Sequence, residues 1–493
     1  VESGAIGDTD GMDPGSSELI PRLTAICGRE HVVTEPGALA TYRSDGLLHY
    51  RQSPLVAVLP GDGHEVAAVV QACHEARVPW VARGSGTGLS GGALPLAEGV
   101  LIVLARMRRI LEIDLDNRRV VVEPGVTNLA VSRAVAPTHF YPPDPSSQIV
   151  CSIGGNVAEN SGGAHCFKYG FTTNYVTGLR VVLSDGTVAD LDRDMPGYDL
   201  LGAFVGSEGT LGVATEITLR VVPAPESVRT MLAFFPDTGA AGEAVSAIVD
   251  AGIVPAAIEM MDRLSIQAAE QATGAGYRLD AGAALLVEVD GPAEECEAVR
   301  DTLQRMCEAA GAFEVRIAAD EAERELIWRT RKAAFAAMGR IAPAYYVQDG
   351  VIPRTKLAAV LREIDGLAAG YGLRVANVFH AGDGNLHPLV CYDDAVEGEA
   401  AAAEQLSGEI IRACVNAGGS ITGEHGVGVD KRAYMPLMFG EADLDAFTRL
   451  RGAFDPLGLA NPGKVMPTPR LCGEVPGPYR AHPLERAGIA ERM

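Results

Sequence analysis

Short apolar runs alternate with polar, glycine-rich breaks along the chain, and the alternation changes character once. From Ser53 to about Pro225 the runs Leu55–Leu59, Trp80–Arg83, Val100–Leu104, Ile110–Asp114, Val120–Glu123, Leu179–Leu183 and Glu216–Val222 are rich in β-branched residues and bounded by turn formers. Each predicts a strand. Between the first two, the stretch from Glu65 to Ala76 repeats apolar residues at helical spacing. The pattern is a strand–helix–strand unit followed by a mixed layer.

Pro223-Ala-Pro225 ends this regime. Beyond it, Thr230–Phe235, a helix over Gly239–Ala251, Ala256–Met260, Ala284–Val289, a helix over Ala293–Ala310 and Phe313–Ile317 predict the order βαββαβ. Strands in that order pair most easily as an antiparallel sheet with helices on one face, the ferredoxin-like arrangement. A long helix from Glu321 to Met338 leads to a second pass, with strands Tyr345–Gln348, Arg374–Phe379 and Pro388–Tyr392 and a helix after the first and the last. At 493 residues the chain exceeds one ordinary core. The expected organisation is α+β: a flexible Gly/Asp/Ser-rich tail over 1–18, a first domain over 19–225, a second with a wide sheet over 226–425, a segment over 426–467 that returns to the first, and a loose tail over 468–493.

Charge narrows the choice of partner. The balance of 41 basic against 64 acidic residues gives −23, which repels phosphate backbones and argues against nucleic acid. No apolar run approaches the ~20 residues of a membrane span. The opening VESGAIGDTDGMD lacks the basic and apolar regions of a signal peptide, so the expected location is cytoplasmic. Nine cysteines are scattered without a Cys-x-x-Cys pair, and neither an iron–sulfur cluster nor a cysteine zinc site has its spacing.

Candidate chemistry begins after Arg83, where Gly84, Ser85, Gly86, Thr87, Gly88, Leu89, Ser90, Gly91 and Gly92 offer backbone N–H groups with little side-chain hindrance, as a pyrophosphate requires. The match to G-x-G-x-x-G carries little alone. A Rossmann turn needs a helix at once, and Pro95 and Gly99 follow instead. Standing alone, the run would be a mobile surface loop. Further glycine-dense turns follow at Pro142-Pro-Asp-Pro-Ser-Ser147, Cys151 to Gly163, His165 to Gly170 and Gly206 to Val213. Turns so widely spaced suggest one extended ligand of dinucleotide size.

Only ten histidines exist, and two, His380 and His387, flank the turn Gly382-Asp-Gly-Asn385; Glu424 and His425 form an adjacent pair. A hairpin there presents both imidazoles on one side. Two imidazoles and a carboxylate are a common ligand set for a divalent metal with open positions. The competing reading has the histidines bonded to loop carbonyls and Glu424 in a surface ion pair; two histidines around a glycine-rich turn beside a Glu-His pair favour the site. Arg331 lies within the apolar stripe Ile327, Trp328, Ala334, Phe335, Met338. An inward arginine needs an anion, which is either a bound carboxylate or an acid at a domain edge.

These motifs resemble the vanillyl-alcohol oxidase / p-cresol methylhydroxylase superfamily of FAD enzymes, and within it the branch of glycolate oxidase D subunits and D-lactate dehydrogenases, from about Leu55 to Pro467. The resemblance implies a two-part FAD-binding domain and a substrate (cap) domain with a wide antiparallel sheet. It implies that Arg83 to Gly92 hold the pyrophosphate and that Pro143, Asp144, Ser147, Gly154, Gly155, Asn156, Gly163, Tyr169, Glu208 and Gly212 surround the rest of FAD. Some members tether the flavin to a histidine in the glycine loop; Ser85, Thr87 and Ser90 stand there, so FAD is expected to be non-covalent. The resemblance further implies that His380, His387 and Glu424 bind a divalent metal (Zn, Mn or Fe), that His425 faces the substrate as general base, and that Arg331 anchors its carboxylate. The implied reaction is oxidation of a small D-2-hydroxy acid, glycolate or D-lactate, with electrons passed to a separate acceptor; the alternatives are an FAD oxidase that uses oxygen on another hydroxylated substrate, or a non-catalytic flavoprotein subunit. Glycolate oxidases imply partner subunits, one with iron–sulfur clusters, and attachment at the inner face of the membrane; similar D-lactate dehydrogenases act without them.

Overall fold

The computed structural model describes residues 14–467; most of the expected N-terminal tail (1–13) and the whole expected C-terminal tail (468–493) lie outside the described residues. Helix α1 (Pro14–Cys27) starts inside the stretch expected to be tail. Leu19 and Leu23, one turn apart, are buried in the core of the first lobe.

In the first lobe, β1 (Val32–Val33), β2 (Val56–Val58), α2 (Gly63–Ala76), β3 (Trp80–Arg83) and β4 (Val100–Val103) follow in sequence. Asp62 begins α2 by accepting from the N–H groups of His64 and Glu65. The sheet order is β1–β2–β4–β3, parallel except between β1 and β2. The glycine loop hangs from the end of β3, and no helix forms between it and β4. A second sheet combines β5 (Ile110–Asp114), β6 (Arg119–Val122), β7 (Val176–Val182), β8 (Val188–Asp192) and β9 (Val213–Arg220) in the order β5–β6–β9–β7–β8, all antiparallel. Between β6 and β7 the glycine-rich motif after Cys151 forms a short helix over Ile153–Glu159, capped by Ser152.

The second lobe is built on a nine-stranded antiparallel sheet. Its elements are β10 (Ser227–Phe235), α3 (Thr238–Asp250), β11 (Ala257–Asp262), α4 (Arg263–Thr273), β12 (Ala283–Gly291), α5 (Ala293–Ala309), β13 (Glu314–Ile317), α6 (Glu321–Ala337), β14 (Ala344–Val347), β15 (Gly350–Val351), α7 (Leu357–Tyr371), β16 (Arg374–His380), β17 (Asn385–Leu386), β18 (Pro388–Tyr392) and α8 (Glu399–Asn416). Two expectations are corrected here. Helix α4 follows β11 with no loop, because Asp262 is both the last strand residue and the N-cap, accepting from Ser265 N–H. Helices also cover both faces: Met231, Ala233 and Phe235 pack with α3, α5, α7 and α8, whereas Leu232 and Phe234 pack with α4 and α6. Unbroken burial along β11 and most of β12 requires a cover on each side.

The last described stretch runs back along the first lobe. Trp80 exchanges backbone bonds with Leu459 and Asn461, Asn461 Nδ2 donates to the carbonyls of Gly92 and Glu208, and Lys464 Nζ donates to that of Leu94. The glycine loop is thereby fixed from behind. No helix among the described residues is long and apolar enough to cross a membrane.

Candidate functional site

A cleft opens beneath the glycine loop, and α6 forms its far wall with Lys332, Phe335 and Ala336. Arg83, Gly84, Ser85, Gly86, Thr87, Gly88, Ser147, Gly154, Gly155, Asn156, Glu208 and Gly212 line it. The other expected contacts are not among the residues that line it, and each has a neighbour in the chain. The Pro143 carbonyl accepts from Asn128 Nδ2 at 2.9 Å, Asp144 accepts from His165 Nδ1 at 2.9 Å, and Tyr169 OH donates to Asp290 at 2.6 Å. Gly163 backs onto the Asp144 carbonyl, which a Cβ would approach to 2.5 Å. The Ser90 carbonyl accepts from Val429 and Asp430 N–H, and Gly91, at φ +75°, faces Val429.

Asp144 belongs to a buried network that joins the lobes. His165 Nε2 lies 3.2 Å from Glu288 of β12, which also accepts from Thr230, Arg324 and Trp328 Nε1. Burial alone would lower the His165 pKa, but Asp144 and Glu288 outweigh it and raise it to about 10. His165 is therefore a charged bridge at neutral pH, tying α6 to the first lobe.

The histidine cluster closes one end of the cleft. Strand β16 ends at His380, which pairs with Asn385 across the turn, so His380 and His387 meet with ring centroids 5.1 Å apart. Their Nε2 atoms converge on one oxygen of Glu424, at 3.0 and 3.3 Å. Glu259, opposite His380 on β11, accepts from His380 Nδ1 at 2.7 Å. A carboxylate behind an imidazole fixes the ring and raises its basicity as a ligand. His387 Nε2 also lies 3.5 Å from Asp349 Oδ1, and its Nδ1 is buried without a hydrogen-bond partner among the described residues. Two imidazoles converging on one carboxylate oxygen, with a second carboxylate backing one ring, together fit a divalent cation.

Glu424 and His425 diverge as their loop requires. Glu424 turns to the two imidazoles, His425 stacks on His387 at 4.8 Å, and His387, Glu424 and His425 all line the cleft. His425 Nδ1 is buried without a partner among the described residues. Burial, reinforced by His387 and Lys431, brings the His425 pKa down to about 4 despite Asp349 and Glu424, so the ring is neutral at pH 7.

Arg331 departs from the expectation. Its anion belongs to the chain: Nη2 lies 2.5 Å from Glu259, both side chains are almost fully buried, and Arg331 does not line the cleft. The cation that α6 does present there is Lys332, whose Nζ lies over the Trp328 ring. Sequence reading also missed Glu259 and Asp349. A lone acid inside Ala257-Ile-Glu259-Met-Met261 carries the same signal as Arg331 within its stripe, since a buried charge demands a partner. The two signals answer each other.

The chain belongs to the FAD-linked oxidases: residues 54–192 match the FAD binding domain and residues 224–465 the C-terminal domain of FAD linked oxidases. The first lobe is thus an FAD-binding domain. Among particular relatives, the chain is 50% identical over 479 residues to "Glycolate oxidase subunit GlcD" of Escherichia coli (strain K12), covering 96% of this chain and 94% of that protein. It is 34% identical over 433 residues to "D-lactate dehydrogenase" of Anaerostipes hadrus, covering 85% and 90%. The solved structure of p-cresol methylhydroxylase with substrate bound shares the fold, with a TM-score of 0.78 at 17% identity over 93% of this chain and 98% of that one.

Proposed function

We propose that the chain oxidises a small D-2-hydroxy acid, glycolate or D-lactate, to the 2-oxo acid, with FAD held non-covalently in the cleft. The observation that carries this reading is the convergence of His380, His387 and Glu424, with His425 beside them, at the end of the cleft lined by the glycine loop. The names of the relatives support the substrate class. FAD, when bound, would supply the acceptor for a hydride from the substrate α-carbon. His380, His387 and Glu424 would hold Zn²⁺, Mn²⁺ or Fe²⁺, which supplies Lewis acidity toward the substrate hydroxyl. His425 takes the hydroxyl proton at Nε2, a transfer its neutral form permits. Lys332 is the α6 cation available to the substrate carboxylate, and the Phe335 ring beside it helps exclude water from the cleft. A separate acceptor would take the electrons; the name of the E. coli relative, a subunit, supports a partner subunit.

The purified protein should be yellow, release its flavin on heat denaturation, and bleach when glycolate or D-lactate is added anaerobically. A flavin that stays oxidised with both acids defeats the proposal. Gly88 supplies a separate check. A Cβ there has only the Glu159 carboxylate within 4 Å, at 3.9 Å, so Gly88→Val should fold normally while its methyls occupy the cleft. FAD binding should weaken about 10- to 100-fold, the ~1–3 kcal/mol of an overpacked site. Equilibrium dialysis against FAD measures it.

A further inference from the structure

We propose that Asp349 is a positioning residue that sets the 422–425 turn, so that Glu424 meets the two imidazoles while His425 stacks on His387, both residues lining the cleft. The consequence for catalysis rests on the proposed function; the geometry does not. Adjacent residues on an extended strand would point to opposite faces, and two roles within one small site need a tighter, imposed turn. Asp349 imposes it. Its side chain is 0% exposed, and Oδ2 accepts from Thr422 Oγ1 at 2.6 Å, Gly423 N–H at 3.0 Å and His425 N–H at 3.0 Å. Glu424 N–H reaches Oδ1 at 3.2 Å. Three successive N–H groups pointing at one anion form a nest, here filled by a carboxylate of the protein itself.

The carboxylate is anchored on the side of the imidazoles. Asp349 stands between β14 and β15; Gln348 N–H donates to the Pro388 carbonyl, and Val351 and Ser420 exchange backbone bonds. Lys431, 1% exposed, balances its charge with Nζ at 3.0 Å. On the other side of Gly426, which sits at φ +85°, Glu208 of the first lobe accepts from Val427 and Gly428 N–H at 2.6 and 2.7 Å. The loop is thus held by an acid from each lobe, and Asp349 governs the half that carries Glu424 and His425. Asp349 also lies close enough to His387 and His425 to suggest a second ligand triad. Oδ2 already accepts from two backbone N–H groups, a hydroxyl and an ammonium, while Oδ1 accepts from Glu424 N–H at 3.2 Å and lies 3.5 Å from His387 Nε2. Asp349 itself does not line the cleft.

Asp349→Asn keeps the shape but turns an amide group toward N–H donors. In the full-length, FAD-loaded protein, the crystal structure of this variant should show Glu424 turned away from His380 and His387. Zn²⁺ affinity, titrated calorimetrically on chelator-treated protein, and the rate of flavin reduction should each fall about 10- to 100-fold, while FAD content stays unchanged. Unmoved Glu424 and His425 side chains with Zn²⁺ affinity within about twofold of wild type overturn the proposal. If wild-type flavin is not reduced by either acid, the proposed function fails, and the loop structure still decides the role of Asp349. If Asp349→Asn does not fold, Thr422→Val removes one donor at similar volume and should weaken Zn²⁺ binding about 2- to 10-fold. A wild-type loop and affinity there also overturn it.

Discussion

In the double variant His380→Ala, His387→Ala, reduction of the flavin by glycolate or D-lactate should slow about 1,000-fold, while FAD content and the oxidised spectrum should persist. Both histidines belong to the second lobe, and His380 does not line the cleft, so the glycine loop keeps its ligand surface. Removing the imidazoles leaves Glu424 as the one remaining donor of the triad. If a bound cation lowers the barrier by about 4 kcal/mol, its loss slows reduction about 1,000-fold. Glu424 would also lose both imidazole partners, at a cost of ~1–3 kcal/mol for a buried group left unsatisfied. Melting temperature therefore has to be recorded alongside rate. Rapid mixing under anaerobic conditions measures reduction, and elemental analysis of both proteins measures metal. Fast reduction in a variant shown to be metal-free would remove the cation from the mechanism and leave the cluster a structural one.

The strands were legible because their signal is local: Trp80–Arg83, Ile110–Asp114 and Pro388–Tyr392 coincide with apolar runs in the sequence. The two-sided covering of the second sheet was written in the same runs, since Ala257–Asp262 has no polar alternation to leave one face wet. Helix α4 escaped because its cap residue closes the preceding strand and no turn former intervenes. Within the site, the ligand-type residues announced themselves by type and spacing, whereas their supports did not. Asp349 lies 73 to 76 residues from the groups it holds, and Glu259 lies 121 from His380. Only the tertiary fold assigns such partners. The same limit applies to the partners of Asp144 and Tyr169, His165 and Asp290, which the motifs around the two residues do not name.

His425→Asn should slow flavin reduction about 100- to 10,000-fold, the range for a lost general base, with little change in the substrate concentration that half-saturates it. The His425 side chain makes no hydrogen bond that holds the loop. Its backbone N–H, retained in the variant, is what meets Asp349, and its ring contributes a stack on His387. Asparagine preserves polarity and bulk at that place but has no nitrogen that can accept the hydroxyl proton. Arg331→Met provides the contrast. A carboxylate anchor would show itself as weaker substrate binding, but Arg331 is paired with Glu259, and its removal leaves that acid buried beside His380 alone. The expected result is ~3–5 kcal/mol of lost stability, with substrate affinity affected only through the shifted imidazole. Stopped-flow traces across substrate concentration yield the rate and the half-saturation constant separately for both variants, and chemical denaturation yields the stability. A His425→Asn protein that reduces its flavin near the wild-type rate would move the base to another group on the cleft wall. An Arg331→Met protein of normal stability but weak substrate binding would restore that arginine to the substrate.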